Sequence, residues 1–122
     1  MPNVIHFEIC VYDLESAANF YSNVFGWEIK QAEDGSGYWP ISARKEIGKS
    51  IPGGLNRRFD EVNSTINTIE VPSLDDYAKK ITENGGKVLA PKISIPGEGY
   101  VQYCHDLEGN TFGIMELDES AQ

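Results

Sequence analysis

The sequence predicts an α+β fold of two tandem βαβββ modules, at about residues 1–60 and 61–118, forming a curled mixed sheet or open barrel around a cleft. Three observations predict it. The chain has 122 residues, the length of one domain. It matches itself at a shift of sixty, with Ile9 falling on Ile69, Val11 on Val71, Leu14 on Leu74, Ala18 on Ala78 and Gly26 on Gly86. Within each half the hydrophobic period runs in the same order, from two to 3.6 and back to two.

Residues Val4 to Val11 form the first predicted strand. Ile5, Phe7, Ile9 and Val11 alternate with His6, Glu8 and Cys10, so the two sets point to opposite faces. Asp13 is a helix N-cap, because its carboxylate can accept from free amides of the first turn. Leu14, Ala17, Ala18, Tyr21, Val24 and Phe25 follow at helical spacing, and Gly26 ends the helix. Trp27 to Gln31 returns to extended structure. Two further strands, Tyr38 to Ala43 and Gly54 to Arg58, are separated by turn residues.

The second half repeats these events. Thr65 to Val71 is the strand, Ser73 the cap, and Leu74, Tyr77, Ala78 and Ile81 the apolar stripe. Gly85 and Gly86 end the helix, and Lys87 to Ala90 is extended. Ser94 to Gly97 reads as a turn, Tyr100 to His105 and Thr111 to Leu117 as a hairpin across Asp106–Asn110, and the tail after Leu117 as frayed.

Composition narrows the function. Lys plus Arg number 10 against 19 Asp plus Glu, a net charge of -9. Phosphate backbones and anionic lipid repel such a chain, so neither nucleic acid nor membrane is an expected partner. No apolar run reaches membrane-spanning length, and the first residues carry no signal pattern. Two cysteines make no disulfide framework, which points to the reducing cytoplasm. Asn63-Ser64-Thr65 matches a glycosylation acceptor by chance in that reading.

One helix per module covers one face of its sheet. The other face carries His6, Glu8 and Cys10 and, at the shift of sixty, Ile66, Thr68 and Glu70. A face this polar is either washed by solvent or lines a ligand cavity. Its expected lining also takes in Trp39, Tyr100, Gln102, Gly113 and Met115. Tyr38 is a further aromatic that could stack on a flat ligand. Gly113, with Gly53 or Gly54, leaves room for a ligand or lets backbone approach closely. His6 and Glu8, two residues apart on one strand face, form a candidate acid–base pair, and the alternative is a hydrogen-bonded histidine beside a solvated carboxylate. Cys10 has no neighbouring cation to activate it and reads as a small wall residue. Arg57-Arg58 is either a carboxylate holder or a solvated strand end.

The stretch from His6 to Leu14, then Asn19-Phe20-Tyr21 and Phe25-Gly26-Trp27, resembles the opening of the vicinal oxygen chelate superfamily. That group holds glyoxalase I, bleomycin-resistance proteins, fosfomycin-resistance enzymes and extradiol dioxygenases. Asn84-Gly85-Gly86-Lys87-Val88 and Asp106 to Phe112 are similar to its second module. The resemblance implies a small-molecule ligand in a cleft and a homodimer. In metal-dependent members a divalent ion chelates two substrate oxygens and acts as a Lewis acid. Carried over by position, the ligands of that ion fall on His6, Ile66, Gly113 and Gly53 or Gly54. Three of the four have no donor atom, so no metal and no other cofactor is expected. The alternatives are a metal-dependent lyase or dioxygenase with a rearranged set, His6, Glu8 and Glu70, and a non-catalytic drug-sequestering or interaction module.

Overall fold

The computed structural model describes residues 2–42, 51–59, 61 and 64–122. Ala43, at the end of one expected strand, and Asn63, of the glycosylation match, lie outside them. The described residues form an α+β fold of a βαβββ run followed by a βαββββ run, one strand more than the repeat predicts. They divide into two compact units, His6–Ile66 and the N-terminal residues up to Ile5 with Asn67–Gln122.

The first unit holds β1 (Asn3–Val11) from His6 onward, α1 (Leu14–Phe25), β2 (Glu28–Ile29), β3 (Trp39–Ser42) and β4 (Gly53–Arg57). Its strands lie in the order β2-β3-β4-β1. The β1–β4 pair is parallel, with Phe7 opposite Gly53, Glu8 opposite Gly54 and Cys10 opposite Asn56. The other pairs are antiparallel. The Asp13 side chain accepts from the Ser16 amide at 3.0 Å and starts α1. Gly26 ends it in the left-handed conformation, φ 73°, with its amide on the Ser22 carbonyl. The helix lays Leu14 and Ala18 on Ile41 and Leu55, and Phe7, Ile9 and Val11 pack against the same cluster. The helix-covered face of β1 is therefore the one its alternation predicts.

The second unit holds β5 (Thr65–Glu70) from Asn67 onward, α2 (Leu74–Glu83), β6 (Lys87–Val88), β7 (Ile93–Ile95), β8 (Gly99–His105) and β9 (Thr111–Leu117). The order is β5-β9-β8-β6, with β7 also on β8. Ser73 caps α2 by accepting from the Asp76 amide at 3.2 Å. Leu74 packs with Val71, Cys104 and Ile114, and Ile69, Tyr77, Tyr100 and Phe112 surround them.

Two expectations are corrected here. Ser94 and Ile95, expected in a turn, belong to the strand Ile93–Ile95, which pairs antiparallel with β8. The tail beyond Leu117 is held rather than frayed. The Asp118 amide donates to the Glu98 carbonyl at 2.8 Å, the Gly97 amide to the Ala121 carbonyl at 2.9 Å, and the Ser94 hydroxyl to the Gln122 carbonyl at 2.6 Å. Ala121 is buried as a result. A five-residue tail, polar but for Ala121, carries no periodic signal, so nothing in its sequence announces these bonds.

Candidate functional site

The polar face of β1 and β4 carries His6, Glu8 and Cys10. Phe7, Ile9 and Val11 face α1, so His6, Glu8 and Cys10 face the other way, and the parallel register puts Gly54 and Asn56 beside them. Glu8 is 5% exposed, and the Asn56 side-chain amide donates to its Oε2 at 3.2 Å. A carboxylate removed from water needs such donors, because the ionised form loses its hydration there. Cys10 is buried; its amide donates to the Ser64 carbonyl at 2.7 Å, and Arg58 Nε donates to its carbonyl at 3.1 Å. The Arg58 guanidinium also lies 4.8 Å above the Tyr12 ring, so Arg58 ties the end of β4 to β1 while Arg57 is exposed.

His6 Nε2 and Tyr38 Oη are 2.6 Å apart, a hydrogen bond whose direction follows the imidazole tautomer. The two rings are stacked at 6.1 Å and 30°. Tyr38 is thus the aromatic partner of the site. Its ring occupies the space where a Cβ on Gly54 would be.

The glycine reading is corrected accordingly. The Phe7 ring fills the space above Gly53, and the Tyr38 ring that above Gly54. Thr68 Oγ1 would lie 2.9 Å from a Cβ on Gly113. These glycines make room for neighbouring side chains of the protein itself.

Three expected lining residues stand on the wrong face. Trp39 pairs with Leu55 and packs against the α1 cluster. Tyr100 packs against the α2 cluster beside Cys104, which fixes the orientation of alternate residues of β8. Gln102 shares that side, opposite Ile114, and its amide donates to the Ala90 carbonyl at 2.9 Å. The sequence expects the Tyr100 hydroxyl and the Gln102 amide in the cleft, but α2 needs the Tyr100–Cys104 set for its own core.

Ile66 is fully buried in the first unit. In the second unit Thr68 is opposite Gly113 and Glu70 opposite Met115, on the face away from Ile69 and Ile114 and hence away from α2. Thr68 is buried, whereas Glu70 and Met115 are half-buried. Cys104, inside the α2 core, has its thiol pushed up to about 11 by desolvation, which suits packing and disfavours thiolate chemistry.

The positions that the resemblance gives to metal ligands do not fit a metal. His6 supplies an imidazole already bonded to Tyr38, Ile66 supplies a buried hydrocarbon, and the space over Gly54 and Gly113 is taken by Tyr38 and Thr68. Among the described residues no three His, Cys, Asp or Glu side chains gather in a metal-holding group. A separate groove of about 410 Å³ lies near the start of α1, with Tyr12, Asp13, Gln31, Trp39 and Arg57 on its walls. It contains none of His6, Glu8 and Asn56.

Asn56 is the site residue that sequence reasoning missed. The alternation of β4, with Leu55 in the core, would have placed it on the face away from α1, though not its bond to Glu8.

Comparison with known proteins follows the fold. Residues 3–38 match the family described as bleomycin resistance protein-like N-terminal. A glyoxylase-like domain-containing protein of Didymella fabae is 34% identical, over 88% of each chain. A glyoxalase/bleomycin resistance protein/dioxygenase superfamily member from Vibrio splendidus 12B01 superposes with a TM-score of 0.67 at 12% identity, over 95% of this chain and 99% of that one. A methylmalonyl-CoA epimerase from Mycobacterium tuberculosis superposes with a TM-score of 0.64 at 17% identity, over 94% and 87%. Identities this low carry the fold alone.

Proposed function

The chain belongs to the glyoxalase/bleomycin resistance/dioxygenase superfamily, and from that premise we propose that it binds a small organic molecule on the β1–β4 face, without the usual divalent metal. His6 and Glu8 are the proposed acid–base groups. The observation that carries this reading is the Glu8 carboxylate, 5% exposed on a polar sheet face, braced by Asn56 and two residues from an imidazole. Burial makes a carboxylate costly unless it is used or well bonded, and imidazole exchanges protons near neutral pH. The donor set at the inherited metal positions speaks against the metal-dependent lyase or dioxygenase alternative. A purely sequestering protein would use the same face without proton transfer. We place the protein in the cytoplasm as a homodimer, which sedimentation of the full chain tests; among the described residues no helix is long and apolar enough to cross a membrane.

The experiment is a thermal-shift screen of chelator-treated protein against methylglyoxal adducts, catechols and aromatic drugs. A ligand at a hundred times its dissociation constant stabilises by about 2.7 kcal/mol, a readable shift. The reading expects a hit with chelator present that His6→Ala weakens at least tenfold. Binding that needs an added divalent ion, or that His6→Ala leaves unchanged, contradicts it.

A further inference from the structure

We propose that Tyr38 is the positioning residue of this site, holding the His6 imidazole in one tautomer and one orientation, and that position 54 is glycine because the Tyr38 ring lies there. The inference rests on the reading of His6 as a working group of the site, but its test needs no ligand.

The geometry has three parts. The first is the 2.6 Å bond between Tyr38 Oη and His6 Nε2. When the phenol donates in this bond it takes the Nε2 lone pair, and the neutral ring then carries its proton on Nδ1; that is the tautomer the inference assigns. The second is the anchoring of Tyr38. Its amide donates to Ser36 Oγ at 3.2 Å, its carbonyl accepts from the Ala32 amide at 2.9 Å, and Ser36 is itself held by Asp34 at 2.9 Å. Gly35 and Gly37, at φ 78° and 76°, let this turn fold back on itself. The third is the seat. Any side chain at 54 would meet the Tyr38 ring, while Gly54 sits opposite Glu8 in the parallel register. One glycine thus sets the distance between a phenol and an imidazole from two other strands and loops.

The charged and titratable neighbours on this face are Glu8, with its Asn56 bond, and Cys10, with Arg58 on its carbonyl.

The test is long-range proton–nitrogen NMR of the two histidines in the full chain. His105 serves as the internal control, and His105→Gln assigns the signals. The wild type is expected to show one protonated and one unprotonated His6 nitrogen, well separated. Tyr38→Phe keeps the ring in its seat and removes the hydroxyl, and should move the two His6 signals toward each other while His105 stays put. Gly54→Ala should reproduce that change by displacing the ring. Unchanged His6 signals in Tyr38→Phe overturn the inference. Should Gly54→Ala unfold, the Tyr38→Ala/Gly54→Ala chain decides: it should regain most of the lost melting temperature, and an alanine at 54 equally harmful without the Tyr38 ring refutes the seat. Because the signals are read without ligand, a failed thermal-shift screen bears on the functional reading and leaves this result to stand or fall by itself.

Discussion

Phe7 and Gly53 face each other across the parallel β1–β4 pair, and the Phe7 ring occupies the space of the missing Cβ. Gly113 and Thr68 repeat the relationship across β5 and β9, with a small hydroxyl in place of a ring. Adding a methyl group at 53 forces a phenyl ring out of a packed cluster, and overpacking of this kind costs about 1–3 kcal/mol. At 113 the obstacle is the end of a rotatable side chain. Urea denaturation should therefore show Gly53→Ala more destabilised than Gly113→Ala, with the difference shrinking when Phe7→Ala is combined with the former. Equal losses at both positions contradict the packing account.

The N-caps give a second prediction. Ser73→Ala removes the acceptor for the Asp76 amide and should cost about 1 kcal/mol, the usual size of a lost cap. Ser73→Asp should restore it, because a carboxylate can accept the same bond and favours the helix N-terminus.

Asp13 makes the α1 cap titratable. Its bond from the Ser16 amide holds its pKa below the ordinary 3.8. A carboxylate lowered on folding contributes stability that is fully present above that ordinary value and is lost as pH falls through the folded value. Asp13→Asn keeps an acceptor and removes the charge. The melting-temperature gap between wild type and Asp13→Asn should be constant near neutrality and close in the wild type's disfavour below about pH 4. A gap that does not change with pH contradicts the assignment.

Cys104 titrates in the opposite sense. Desolvation raises its thiol from the ordinary 9.0 to about 11, so the unfolded chain loses this proton first. Its contribution is full below pH 9 and disappears as pH rises through 11. Native protein at pH 8 should protect Cys104 from a thiol reagent until denaturant is added. Rapid modification in the folded state would show that the α2 core opens there.

The sequence made the architecture legible because two periodicities repeat in register. Alternation from Ile5 to Val11 placed Phe7, Ile9 and Val11 under α1 and His6, Glu8 and Cys10 opposite, which the packing bears out. The same logic misled at Tyr100 to His105, where aromatic or polar residues occupy both sets. There only the demand of α2 for apolar cover selects Tyr100 and Cys104. Trp39 and Tyr38 are both aromatic, which hides that adjacent side chains of an extended segment face apart, and Trp39 packs in the α1 core. Glycines say that a side chain is missing and leave open which neighbour fills the space. The His6–Tyr38 bond spans 32 positions and depends on the 34–38 turn, so no local pattern could show it.

The most direct measurement is amide chemical-shift mapping of chelator-treated, full-length protein with a hit from the small-molecule screen. The account predicts saturable shifts concentrated at His6, Glu8, Cys10, Tyr38 and Asn56. Shifts confined to the groove of Tyr12, Gln31 and Arg57, or shifts that arise only after a divalent ion is added, contradict it.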